Sequence, residues 1–224
     1  MSINEMTIRN FDFYEFAGIL APGATALTGI LLIAPNFTVP DLIRELSVGG
    51  LGLFAICAYV VGHLVQGLGN GIEWAWWRLY GGLPTDWVRT KPNRLLAPAQ
   101  LSAMEGLLKK RLDLGDIEIS RTTEDQWAAL TRQIYAAVAG AGRAGRLDVL
   151  NGNYGLHRGI GAALLLVLAT GVASRSVNCT FVGGTLAGLA LAMFRMHRFG
   201  RSYARELFVQ FLQLSPSESD RKGT

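Results

Sequence analysis

Two stretches of this chain carry no formal charge over the length needed to cross a bilayer: residues 17–34 (AGILAPGATALTGILLIA) and 48–69 (VGGLGLFAICAYVVGHLVQGLG). At 1.5 Å rise per residue, about 18 apolar residues cover a hydrocarbon layer of ~30 Å. Residues 159–174 (GIGAALLLVLATGVAS) and 177–194 (VNCTFVGGTLAGLALAMF) are shorter and are separated by Arg175 and Ser176, so they read as a helical hairpin. Arg158 and Arg195 border this pair, where snorkelling would lengthen each helix by about a turn. The competing fold is a soluble bundle with the pair as its core. The Gly and Ala content of 177–194 favours packing in lipid. The chain is 50% hydrophobic and only 17% charged, which agrees with a membrane protein.

The expected fold is therefore an all-α membrane protein with four transmembrane helices, a cytoplasmic helical domain between spans 2 and 3, and a C-terminal cytoplasmic helix. The expected boundaries are an interfacial segment at 1–16, spans 1 and 2 at 17–74, the cytoplasmic domain at 75–156, spans 3 and 4 at 157–196, a helix at 197–214 and a disordered tail at 215–224. Of the 21 Lys and Arg residues, 12 lie between spans 2 and 3 and six follow span 4, with one each elsewhere. The positive-inside rule then puts the middle segment and both termini in the cytoplasm. Glu5, Arg9, Asp12 and Glu15 precede the first apolar run, unlike the basic lead of a cleaved signal, so the first span is expected to stay attached. Pro22 places a helix start, or a kink, near the beginning of that span.

Between the second and third spans, residues 98–112 repeat apolar positions at helical spacing. Residues 124–139 do the same after a cap at Thr122 or Thr123. Trp74, Trp76, Trp77, Tyr80 and Trp87 fit an interfacial aromatic belt, or alternatively a soluble aromatic core. After span 4, Tyr203, Leu207, Phe208, Phe211 and Leu214 continue a helical pattern.

The second span carries the most informative constellation: Tyr59, His63, Gln66, Asn70 and Glu73 recur at steps of four, three, four and three, forming a polar stripe on one helix face. Polar groups at membrane depth need a partner or water, so the stripe either bonds to neighbouring helices or lines a pore in a homo-oligomer. GxxxG spacings at Gly67/Gly71, Gly155/Gly159 and Gly184/Gly188 favour close helix packing. A second set, Arg89, Lys91, Arg94, Lys109, Lys110 and Arg111, is placed to attract anionic membrane lipids, or a nucleotide or single-stranded nucleic acid. Cys57 and Cys179 fall inside spans, and His63, His157 and His197 lack metal-ligand spacing. No catalytic residue, metal site or cofactor is expected, and the chain does not read as an enzyme.

The lead-in Phe11-Asp12-Phe13-Tyr14-Glu15-Phe16, Pro22-Gly23, the helical insert and the exit Arg198-Phe199-Gly200-Arg201-Ser202-Tyr203-Ala204 resemble small bacterial membrane proteins of anti-phage defence, specifically the membrane effector of Hailong-type systems. The resemblance implies an inner-membrane ion channel gated by nucleic-acid oligomers that a partner nucleotidyltransferase makes. A non-conducting scaffold that recruits a partner or anionic lipid is the alternative.

Overall fold

The computed structural model describes residues 16–34, 47–112, 117–175 and 177–214. Residues 1–15, 35–46, 113–116, 176 and 215–224 lie outside the described residues, as do the expectations made for them. Every regular element among the described residues is helical. A π-helical turn, Phe16–Leu20, leads into α1 (Ala21–Ile33), followed by α2 (Val48–Leu79), α3 (Pro98–Leu112), α4 (Glu124–Gly140), α5 (Gly145–Ala173) and α6 (Cys179–Leu212), with short 3-10 turns at Asp86–Val88 and Ile119–Arg121.

Three of these helices, α2, α5 and α6, are long and apolar enough to cross a membrane. Four were expected; the first corresponds to a shorter apolar stretch, Gly18–Ile33. Its C-terminal limit follows from Pro35, which disfavours helical backbone at the residue before it, and Ala34 is accordingly extended with ψ 130°. At the other end Pro22 occupies the first turn of α1, where its missing N–H is tolerated.

The chain divides into two compact units, one drawn from Met1–Trp76 and Gly152–Arg198, the other from Trp77–Asn151 and Phe199–Thr224. The first is packed inside out. Its core cluster is Ala26, Val65, Ala162 and Ala163, whereas Leu53, Ile56, Leu64, Leu191 and Phe194 are all exposed. Small residues inside and large apolar ones outside is the arrangement that lipid solvation favours. Backbones approach at glycines: a Cβ on Gly23 would sit 1.8 Å from the Ala58 carbonyl oxygen, and one on Gly62 2.1 Å from that of Ile19. In the hairpin of α5 and α6, Gly161 and Gly188 instead make room for side chains, those of Met193 and Leu164. Asn178 caps α6, its Oδ1 accepting from the Phe181 N–H at 2.9 Å.

The second unit has the opposite character. Met104, Leu108, Ile134, Trp127, Phe208 and Phe211 are fully buried in one core, each contributing about 1.5–3 kcal/mol of hydrophobic stabilisation. Thr123 caps α4 in a capping box with Gln126. Trp77 and Trp87 are buried with ring centroids 6.0 Å apart, and Trp87 Nε1 donates to the Gly82 carbonyl at 3.1 Å. These two tryptophans therefore belong to a core. In the first unit, Trp74 is exposed, and Trp76 Nε1 donates to His197 Nδ1 at 3.3 Å.

Candidate functional site

The polar stripe of α2 divides into two groups, and helix geometry explains the division. The buried line of α2 runs through Ala58, Gly62, Val65 and Gly69. At about 100° per residue, Glu73 and Gln66 lie roughly 50–70° from the middle of that line, and Tyr59, Asn70 and His63 roughly 90–130°. The first pair accordingly turns inward, while Tyr59, Asn70 and His63 are exposed.

The inward pair meets Arg158 of α5. Its Nη1 donates to Glu73 Oε2, and its Nη2 to Gln66 Oε1 at 2.8 Å. Each partner of the ion pair keeps a side-chain exposure of 21%. With its oxygen held by Arg158, the Gln66 amide presents Nε2 to the Gly18 carbonyl and donates to it. That carbonyl lies four residues before Pro22, which has no N–H to offer for an α-helical bond. Gln66 thus supplies a donor where the backbone lacks one. Two glycines make the room: a Cβ on Gly159 would stand 2.6 Å from Pro22 Cγ and 3.0 Å from Gln66 Nε2, and one on Gly69 3.4 Å from Arg158 Cγ. The Nε of Arg158 is buried without a hydrogen bond.

Arg158, expected as a cation snorkelling from a helix end, folds onto two members of the stripe. The available signal was one cation and one carboxylate, Arg158 and Glu73, each bordering an apolar run.

On the outward side, the Tyr59 and His63 rings meet edge to face, with centroids 4.8 Å apart. Gly67 and Gly71 have open space where a Cβ would stand among the described residues. Gly155 and Gly184 are open in the same way.

The basic set in the second unit is also divided. Arg89 Nη2 donates to the Thr122 carbonyl, a structural tie. Lys91 pairs with Glu118 at 3.4 Å, and Arg121 pairs with the same carboxylate at 2.6 Å. The Ser120 hydroxyl, at 2.6 Å, is the main cause that holds the Glu118 carboxyl below the usual range, with the two cations adding to it. Arg94, Lys109 and Lys110 are exposed, and the side chain of Arg111 lies outside the described residues.

No protein-family model, no curated protein and no solved structure matches the chain.

Proposed function

We propose that the chain is a four-span subunit of an oligomeric ion channel in a bacterial inner membrane, with both termini cytoplasmic and Gly18–Ile33 as the first span. The observation that carries this reading is the outward face of α2, where His63 and Asn70 are exposed beside the open glycines Gly67 and Gly71. Polar side chains directed at hydrocarbon are costly unless they meet a partner or water. A ring of subunits joined along this face provides both, and the glycines allow close approach. Tyr59, His63 and Asn70 then line the path. Gln66 and Glu73 leave the pore-lining set, because Arg158 already engages them. Gating is assigned to the second unit, with Arg94, Lys109 and Lys110 as the exposed cations for a nucleotide or single-stranded nucleic acid. The ligand class, the partner nucleotidyltransferase and the defence setting rest on the resemblance alone.

The test is ion leakage from vesicles containing purified protein, with and without single-stranded oligonucleotides, for wild type, His63→Leu and Asn70→Leu. The channel reading expects flux in wild type and a reduced or dewetted path in both variants. Identical flux in all three removes these residues from the pore. The non-conducting scaffold has a specific observation in its favour, since the Arg158–Gln66–Glu73 tie is made within one chain. An oligomer that stays closed under every ligand decides for that second reading.

A further inference from the structure

Threonines in an apolar helix ordinarily return the hydroxyl to the backbone one turn back. Thr25 and Thr170 do so, donating to the Ala21 carbonyl at 2.8 Å and to the Leu166 carbonyl at 2.9 Å. Thr28 of α1 and Thr185 of α6 make no hydrogen bond among the described residues. Thr185 is nevertheless only 8% exposed. Both side chains line one open cavity of about 490 Å³, walled by Leu32, Phe54, Val167 and Phe181 from four helices, with no charged residue among those described in its lining. It lies wholly within the first unit. Phe54 stands six residues from the start of α2, Thr185 six from the start of α6, and Val167 six from the end of α5, so each is ~9 Å from that end of its helix.

We propose that this cavity is a binding site for a neutral lipid whose polar group is a carbonyl or a hydroxyl, held by the Thr28 and Thr185 hydroxyls, with its apolar body against Leu32, Phe54, Val167 and Phe181. The volume falls within the ~300–1,000 Å³ of small-ligand sites, and an apolar lining with a few polar groups is their usual composition. With the helix ends at the hydrocarbon edge, the two hydroxyls lie about a third of the way into a core of ~30 Å. Phospholipid headgroups stay outside that core, and a charge brought to this depth is costly. An unbonded hydroxyl there is costly too, so its partner is polar but uncharged. Water satisfies the hydroxyls and leaves the walls bare. An acyl chain covers the walls and leaves the hydroxyls unbonded. A lipid alcohol or a quinone satisfies both.

The site is independent of conduction and of subunit number. Its test uses the full chain in neutral detergent, with bound probe read by native mass spectrometry. The probes are the lipid alcohol farnesol, the quinone decylubiquinone, and farnesene, a hydrocarbon with farnesol's carbon skeleton. Wild type is expected to retain farnesol or decylubiquinone in preference to farnesene, and the better of the two identifies the polar group. Thr28→Val and Thr185→Val each remove a hydroxyl at nearly constant volume and should lower that preference about fivefold. Thr25→Val should lower it less, because that hydroxyl is already donated to Ala21. The double Val variant should lose the preference while still binding farnesene, which shows the cavity intact. Thr185→Ser keeps the hydroxyl and should keep the preference; a loss equal to that of Thr185→Val overturns recognition by the hydroxyl. No preference over farnesene in wild type, or one unchanged in the double Val variant, overturns the site. Displacement of farnesol by phosphatidylcholine, equal in wild type and the double variant, assigns the cavity to phospholipid acyl chains and overturns it as well.

Discussion

Replacing Arg158 with Met keeps a side chain of comparable reach and removes the guanidinium, leaving Glu73 without its ion-pair partner and Gln66 Oε1 without its donor. Breaking a fully buried pair costs about 3–5 kcal/mol, but Arg158 and Glu73 each keep 21% side-chain exposure, so water screens what remains. Hydrogen bonds between helices in lipid average only about 0.6 kcal/mol, because separated helices find other partners. Together these limits give an expected loss of roughly 2–3 kcal/mol for Arg158→Met, and a similar one for Glu73→Met. The double variant strands no charge and should lie within about 1 kcal/mol of wild type. The assay is a double-mutant cycle on unfolding in mixed detergent micelles, followed by tryptophan fluorescence. Losses that add to within ~0.5 kcal/mol would refute the coupling.

The glycines separate into those that hold backbones together and those that do not. Gly23→Ala drives a Cβ into the Ala58 carbonyl, 1.8 Å away, and since backbone cannot rotate aside it should cost at least ~1–3 kcal/mol; Gly67→Ala meets open space and should leave the monomer as stable or better, read by the same unfolding assay. Thr123→Ala removes the capping-box acceptor of α4 and should cost about 1 kcal/mol, most of it recovered by Thr123→Ser. Tyr135, whose hydroxyl donates to Asp148 Oδ1 at 2.9 Å, is pushed up to about 12, first by burial and then by that carboxylate. A phenol raised above its unfolded value of about 10 stabilises the fold below pH ~10 and loses that contribution as pH rises toward 12. Alkaline unfolding should therefore be shallower in Tyr135→Phe, and an unchanged profile would remove the phenol from the account.

Helices α3 and α4 were legible because their apolar positions recur at helical spacing and both carry a starting signal, Pro98 and Thr123. The first turns of α5 were not. Gly145, Asn151, Gly152, Asn153 and Gly155 are weak helix formers, yet the helix runs unbroken from Gly145 to Ala173, with Leu147 fully buried in the core. Tertiary packing overrides propensity there. The aromatic cluster was legible as a cluster but not in its division, because Trp74 and Trp77 are three residues apart on one helix and differ only in what stands opposite. The stripe was visible as a 4-3-4-3 spacing, but spacing fixes a face only to within about 80° of arc. Whether a residue at its edge turns inward depends on a partner from another helix, in this case Arg158.

The inward half of the stripe also bears on how a bundle with so little apolar contrast acquires one register. Lipid tails are as apolar as leucine, so burying leucine between helices gives little preference for one alignment over another. Ala26, Val65, Ala162 and Ala163 allow close approach but are nearly interchangeable along their helices. The polar connections are not interchangeable. The Gly18 carbonyl lacks an α-helical donor only because Pro22 stands four residues on, and Gln66 reaches it only where Gly159 leaves the path clear. Arg158, the residue before Gly159, then fixes the Gln66 amide and takes Glu73 from two turns along α2. Sliding α2 by one residue swings Gln66 and Glu73 about 100° away, stranding a guanidinium, a carboxylate and a carbonyl together. The network therefore penalises every register but one, so its main role is to align α1, α2 and α5, while His63 and Asn70 stand on the exposed half of the stripe.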